Sequence, residues 1–348
     1  MPNTMRALVK AHAAAGAELQ TLPIPEIGPR DVLVRVHTAS ICGTDLHIYE
    51  WDDWAANRIH PPLTFGHEFC GHIERVGSEV EGLQTGQYVS ADMHVFCGHC
   101  FQCRSGQAHI CQSVRILGVD APGCFAEFVR IPAANIVPLN EAISTDYGAI
   151  LDPLGNAVHT VLAGETAGRS VAIVGCGPIG LMAIAVARAA GAGPVFALEV
   201  NPFRCELAKK MHADFVINPA HEDALVLVRQ HVQSDGVDAA LEFSGHPDGI
   251  HTALKLARAG GRVSLLGITH KPVEVDLNRD VIFKGVTVQG INGRRLFDTW
   301  HQMIGLLAAK RLPLEPLFTT RLPLSQFESG FERLRQGKAA KILLDPHA

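Results

Sequence analysis

A buried-strand run, Val171–Val174, opens directly onto Gly175, Gly177 and Gly180 in the pattern G-x-G-x-x-G, and no other stretch limits the fold as tightly. The residues from Leu181 to Ala190 predict a helix closed by Gly191, and Val195–Leu198 predicts a second strand ending at Glu199. Three spaced glycines alone say little. Between a strand and a helix they specify a βαβ unit that lets backbone approach a pyrophosphate, together with Ile179, at the positive end of the helix. The Glu199 carboxylate, at the strand tip, would accept both ribose hydroxyls and repel a 2′-phosphate, which favours NAD over NADP. Arg204 could receive such a phosphate and weighs less, because it lies beyond the tip. Four more strands are expected at Phe215–Ile217, Ala239–Glu242, Arg262–Leu266 and Val286–Val288, making a six-stranded doubly wound sheet. Ligands of such sheets bind beyond the carboxyl ends of the strands, which places Leu266, Gly267, Ile268, Ile291 and Asn292 beside the cofactor.

Residues 1 to about 150 read differently. Short alternating strands, such as Val32–Val36, are punctuated by glycine and proline, as expected of a mostly β domain with long loops. Cys42, Thr44 and His47 follow that strand closely, and His67 and Glu68 come after Gly66. Cysteine, histidine and glutamate all bind zinc, and an incomplete protein set leaves a position for water or substrate. Thr44 and His47 are three apart and share a face if the chain turns helical after Gly43. Cys97, Cys100, Cys103 and Cys111 have the spacing C-x2-C-x2-C-x7-C. Four thiolates so close can enclose one tetrahedral zinc with no open position, and so staple an irregular loop. An iron–sulfur cluster is the second choice, since the C-P pair of the bacterial ferredoxin pattern is missing.

Length and charge narrow the rest. The chain has 348 residues, which at roughly 150 per domain suggests two domains. Its net charge of −5 offers no electrostatic footprint for nucleic acid. No stretch reaches the roughly 18 apolar residues of a membrane span and the first ten show no signal core, so a cytoplasmic protein is expected. Nine cysteines then point to metal or thiol rather than disulfide.

Together these motifs resemble the zinc-dependent medium-chain alcohol dehydrogenases, and within them the bacterial L-threonine 3-dehydrogenases. The likeness covers essentially the whole chain. It rests on the run from Ala39 to Tyr49, the acidic Trp51-Asp52-Asp53-Trp54, Cys97-Gly98-His99-Cys100, the run from Pro122 to Glu127, the run from Asp152 to Thr160 and the run from Val281 to Gly285. The resemblance implies a GroES-like β-barrel catalytic domain (residues 1–150 and 293–348, with a structural zinc lobe at 94–113) and a Rossmann domain over 151–292. It implies two zinc ions and NAD. Cys42, His67 and Glu68 would hold the catalytic zinc, and Asp152 would be an alternative ligand or bond the zinc-bound water. Thr44 and His47 would relay a proton, and His94 would line the substrate pocket. The reaction implied is oxidation of L-threonine to 2-amino-3-oxobutanoate by a homotetramer, with functional coupling to a coenzyme A-dependent ligase. Two positions depart from the pattern: Glu199 stands where Asp is usual, and Asn292 where an aromatic is common.

Plainer readings compete at single positions. Cys42 alone would be a small buried hydrophobe, Glu68 alone a surface charge, and Asp152 before Pro153 the start of a turn. His159 reads as structural, and Cys70, Cys124, Cys176 and Cys205 as packing. At the level of function, a polyol or 2,3-butanediol dehydrogenase would use the same parts. A zinc-ribbon nucleic-acid module fused to a nucleotide sensor would use the cysteine lobe, but the acidic charge and the second, open metal set oppose it.

Overall fold

A computed structural model describes residues 3–348. It divides into two compact units: Met1–Asp152 with Leu296–Trp300 and Phe318–Ala348, and Pro153–Arg295 with His301–Leu317. The segment 293–348, expected to return whole to the first domain, is therefore split. Residues 301–317 carry buried Met303, Leu312, Leu314 and Leu317, and this apolar surface groups with the second unit, where Glu315–Leu317 packs near the helix Pro202–Lys210.

In the first unit the strand Asp31–Ser40 is central. It pairs antiparallel with Phe69–Val76, Phe128–Pro132 and the C-terminal strand Lys341–Asp345. Alternation explains its position, because successive side chains point to opposite faces. Val32, Val34 and Val36 enter one core with Phe65, Phe69 and Ile73, while Leu33 enters a second with Met5, Val9 and Phe128. Both faces are covered, so the strand cannot slip register by one residue without exchanging the two cores. A two-stranded ribbon, His94–Val95 with Arg115–Ile116, stands at the root of the cysteine lobe. The acidic tryptophan run becomes the entry to a short helix, Asp53–Arg58, with Asp52 as its N-cap.

The second unit is a six-stranded parallel sheet. The order is Phe215–Ile217, Val195–Leu198, Val171–Val174, Val237–Glu242, Ala257–Leu265, Thr287–Gly290. The six strands were expected, and their order is that of a doubly wound dinucleotide fold. The helix expected from Leu181 begins at Pro178, because proline's fixed φ suits the first helical position and its missing N–H costs nothing there. Among the described residues no helix is long and apolar enough to cross a membrane.

Candidate active site

The strand Asp31–Ser40 delivers Cys42 to the start of the helix Gly43–Glu50, as its N-cap. The backbone N–H of Ser40 donates to the Glu68 carbonyl at 2.9 Å, which brings the segment before Phe69 alongside. Gly66 makes that approach possible. Its φ is +92° and a Cβ there would come within 2.4 Å of the Phe125 ring, so no other residue turns the chain inward here. Cys42, His67 and Glu68 consequently offer sulfur, nitrogen and oxygen within 4.8 Å of one another. His67 and Glu68 are 6% and 1% exposed, and Glu68 Oε1 has no hydrogen-bond partner. A buried carboxylate oxygen with no donor is costly unless a cation meets it. The soft-to-borderline S, N, O set fits zinc.

Asp45, which the sequence reading did not select, is fully buried beneath this set. Its Oδ2 accepts the Cys42 N–H at 2.8 Å, and its Oδ1 lies 3.4 Å from His67 Nδ1. Burial would push the His67 imidazole down, but Asp45 and the Cys42 sulfur outweigh it and raise it well above its usual value. These two groups draw positive charge to the ring, and a divalent cation can supply it in place of a proton. The signal for Asp45 was available: an acid three positions after an N-cap is the reciprocal half of a capping box.

Lys341 was also missed. Its Nζ donates to Glu68 Oε2, and to the Ile41 carbonyl at 3.1 Å, and both charged groups are buried. Burial pushes the Glu68 carboxyl up, Lys341 and His67 pull it down, and Asp152 pushes it up again, with a net rise. Asp152, 8% exposed, thus acts on Glu68 electrostatically without joining the group of three ligand atoms.

Thr44 and His47 both lie on the helix Gly43–Glu50, as the spacing required. The Cys42 thiol points to Thr44 Oγ1 at 3.9 Å. His47 Nδ1 is 2.5 Å from Asp52 Oδ2, while Asp52 Oδ1 caps the next helix through the Ala55 N–H at 3.0 Å. Burial would raise the Asp52 carboxyl, but the Ala55 N–H and His47 outweigh it and hold it below its usual value. His94 is partly exposed and sits beside the buried Asp92.

The four lobe cysteines converge as their spacing requires. Sγ–Sγ distances are 3.4 Å for Cys100–Cys103, 3.8 Å for Cys100–Cys111 and 3.9 Å for Cys97–Cys103. Backbone N–H groups of Cys97, Cys100 and Ser113 point at sulfur over 3.3 to 3.4 Å. The Cys103 and Gln112 N–H groups draw the Cys100 thiol down to about 6, so a thiolate is ready for a cation. His99 is exposed and bonds the Cys97 carbonyl instead. Cys103→Ser should remove one zinc equivalent and lower thermal stability. Metal analysis of the unmodified protein checks the premise, and one zinc per chain would break it.

At the second unit's glycine loop each glycine has a separate reason. Gly175 has φ +89° and a Cβ there would meet Ser244 at 2.8 Å; a Cβ on Gly180 would meet the Gly175 carbonyl oxygen at 2.0 Å. Gly177 faces open space, with nothing within 4 Å of a Cβ, and caps the helix Pro178–Ala189 without a side-chain hydrogen bond. This is a cradle in which backbone N–H groups can meet a phosphate. Ile179 is half-buried in the first helical turn. Glu199 is 6% exposed. Its Oε2 accepts the Cys176 N–H at 2.8 Å, and its Oε1 accepts those of Val200 and Asn201 at 2.9 Å. Arg204 is partly buried one turn along the next helix. Leu266, Gly267 and Ile268 follow the fifth strand, and Ile268 is 88% exposed. Ile291 turns inward after the last strand, whereas Asn292 is exposed. Glu242, also unforeseen, ties these loops together: its carboxylate accepts the N–H groups of Ser244 at 2.7 Å and Gly245 at 3.0 Å. His159 Nδ1 donates to the Gly293 carbonyl, 2.8 Å away, in keeping with a structural part.

A dinucleotide-type sheet joined to a β unit with an S, N, O metal set defines the class. The alcohol dehydrogenase GroES-like domain profile matches residues 28–141, and the zinc-binding dehydrogenase profile matches residues 178–309. The chain belongs to the zinc-binding, medium-chain alcohol dehydrogenase family. It is 48% identical over 346 residues to L-threonine 3-dehydrogenase of Bacillus licheniformis, covering 99% of this chain and 100% of the relative. Among solved structures it resembles a zinc-binding dehydrogenase from Sinorhizobium meliloti bound to NADP, with TM-score 0.91, 29% identity and coverage of 99% and 100%. It also resembles 2R,3R-butanediol dehydrogenase from Bacillus subtilis, with TM-score 0.89, 29% identity and coverage of 98% and 99%.

Proposed function

We propose that this enzyme oxidises L-threonine to 2-amino-3-oxobutanoate, with NAD as hydride acceptor and two zinc ions per chain. The observation that carries the reading is the Cys42–His67–Glu68 set with its unmatched buried oxygen. Near-full-length likeness to a threonine dehydrogenase supports the substrate. Cys42, His67 and Glu68 would hold one zinc, and Cys97, Cys100, Cys103 and Cys111 the other. When bound, the first zinc supplies Lewis acidity toward the substrate hydroxyl and NAD supplies the hydride acceptor.

The chain's own residues do the rest. Asp45 orients the His67 ring and adds charge behind it. Thr44 Oγ1 takes the proton released from the substrate hydroxyl and passes its own to His47, whose opposite nitrogen Asp52 holds. Gly175, Gly177 and Gly180 admit the pyrophosphate with Ile179 at the first turn. Leu266, Gly267, Ile268, Ile291 and Asn292, beyond the carboxyl ends of the strands, would lie beside the bound cofactor. The Glu199 carboxylate, fixed by three backbone donors, favours NAD by repelling a 2′-phosphate more strongly than Arg204 attracts it. His94 lines the threonine pocket, and Asp152 acts through Glu68.

Initial rates on L-threonine, sorbitol and 2,3-butanediol, each with NAD and with NADP, test the proposal. Threonine with NAD should give the highest kcat/KM. Turnover of a diol with none of threonine would sink it in favour of the diol reading, which the butanediol dehydrogenase likeness supports.

The assembly proposed is a homotetramer. The edge strand Thr287–Gly290 has no outer neighbour in its sheet and exposes Val288, and Leu277, Ile282 and Phe283 are exposed nearby in sequence, a surface suited to pairing with a second copy. Cytoplasmic location suits nine cysteines without a disulfide. The β-keto acid product would need prompt consumption, for which a coenzyme A-dependent ligase is the proposed partner.

A further inference from the structure

Between the strand Tyr88–Ala91 and the ribbon strand His94–Val95, the chain passes through Asp92, which is 0% exposed. A buried carboxylate must be matched by donors, and this one is matched with unusual specificity. Oδ1 accepts the backbone N–H of His94 at 2.9 Å and lies 3.4 Å from His94 Nδ1. Oδ2 accepts the indole N–H of Trp300 at 2.8 Å, across 208 residues of sequence. The backbone is held as firmly. Asn135 Nδ2 donates to the carbonyls of Asp92 at 2.7 Å and His94 at 2.9 Å, and the Asp92 N–H donates to the Asn135 carbonyl at 3.0 Å. Trp300 and Asn135 are each 1% exposed, while the His94 side chain remains 24% exposed. The cage is buried, while the imidazole it supports is partly exposed.

We infer that Asp92, locked by Trp300, is the positioning residue that makes His94 select the ammonium group of the amino-acid substrate. This rests on the reading of His94 as part of the threonine pocket. A carboxylate at Nδ1 keeps the proton on that nitrogen and puts the lone pair on Nε2. Nε2 is then an acceptor backed by a negative charge, and the substrate feature that suits it is a cationic N–H donor. Threonine has one beside its reacting hydroxyl; a simple diol does not. Trp300 prevents the carboxylate from rotating away, because the rotation would strand a buried indole N–H.

Asp92→Asn keeps the shape, but one amide oxygen cannot accept from both His94 and Trp300. KM for L-threonine should rise about tenfold or more, the scale of one charge-assisted hydrogen bond, with kcat changed much less. The inhibition constant of 3-hydroxybutanoate, the same skeleton without the ammonium, should move less than about twofold. The double variant with His94→Gln should bind threonine no worse than His94→Gln alone, because both changes remove one interaction. Trp300→Phe, which retains the ring but not the N–H, should shift threonine KM the same way by a smaller factor and serves if Asp92→Asn does not fold. Losses that multiply in the double variant, or that fall equally on 3-hydroxybutanoate, overturn the positioning role. An unchanged threonine KM in His94→Gln overturns the His94 reading itself, and this inference with it.

Discussion

Cys42→Ser is expected to abolish turnover and to release one of the two zinc ions proposed per chain, with little change in fold. Serine is the mildest replacement available at this position. It is at least as good an N-cap for the helix Gly43–Glu50, and the backbone bond from residue 42 to Asp45 does not depend on the side chain. What disappears is the thiolate. A serine hydroxyl stays protonated near neutral pH and is a poor zinc ligand, so His67 and Glu68 are left as a two-membered set. With Lewis-acid assistance worth several kcal/mol, the fall in kcat should be at least about 10³-fold. Metal analysis should read one zinc per chain instead of two, and circular dichroism should be unchanged. Two retained zinc ions, or a fall of less than about tenfold, would contradict the assignment.

Lys341→Met comes next in size, and it acts on stability. The Nζ group and Glu68 are both fully buried, in the first unit, and removing one partner of such a pair leaves an uncompensated charge. That costs roughly 3–5 kcal/mol, which for a chain this large corresponds to a melting temperature lower by on the order of 10 °C. Methionine fills most of the lysine's volume, so the effect is electrostatic rather than a cavity. The drop should be largest in protein stripped of zinc with a chelator and clearly smaller when zinc is restored, because a divalent ion compensates Glu68 from its other oxygen. The same thermodynamic cycle requires the variant to bind zinc more tightly than the parent, since the lysine repels the metal. An equal drop with and without zinc would show that Lys341 and the metal do not share Glu68.

The elements that could be read early are those whose cause is local. A glycine at φ +89° beside Ser244 or a cysteine quartet within fifteen positions leaves a mark that spacing alone conveys. The helix after Gly43 was legible as a condition on Thr44 and His47, and the fold satisfies it. The Trp51–Trp54 run is harder to read, because Asp52 caps one helix and holds the histidine of another. One carboxylate with two oxygens can serve two elements, and no periodicity reports that.

The amino-acid sequence by itself determined two metal sets, a dinucleotide cradle and six strands of a doubly wound sheet. Only the tertiary structure decided which distant partners meet the buried carboxylates. Lys341 meets Glu68 across 273 positions, and Trp300 meets Asp92 across 208. A ligand set closes over a few residues of loop, so its spacing is written in the chain. A buried counter-charge needs only to arrive at the right point in space, and any strand that packs there can bring it.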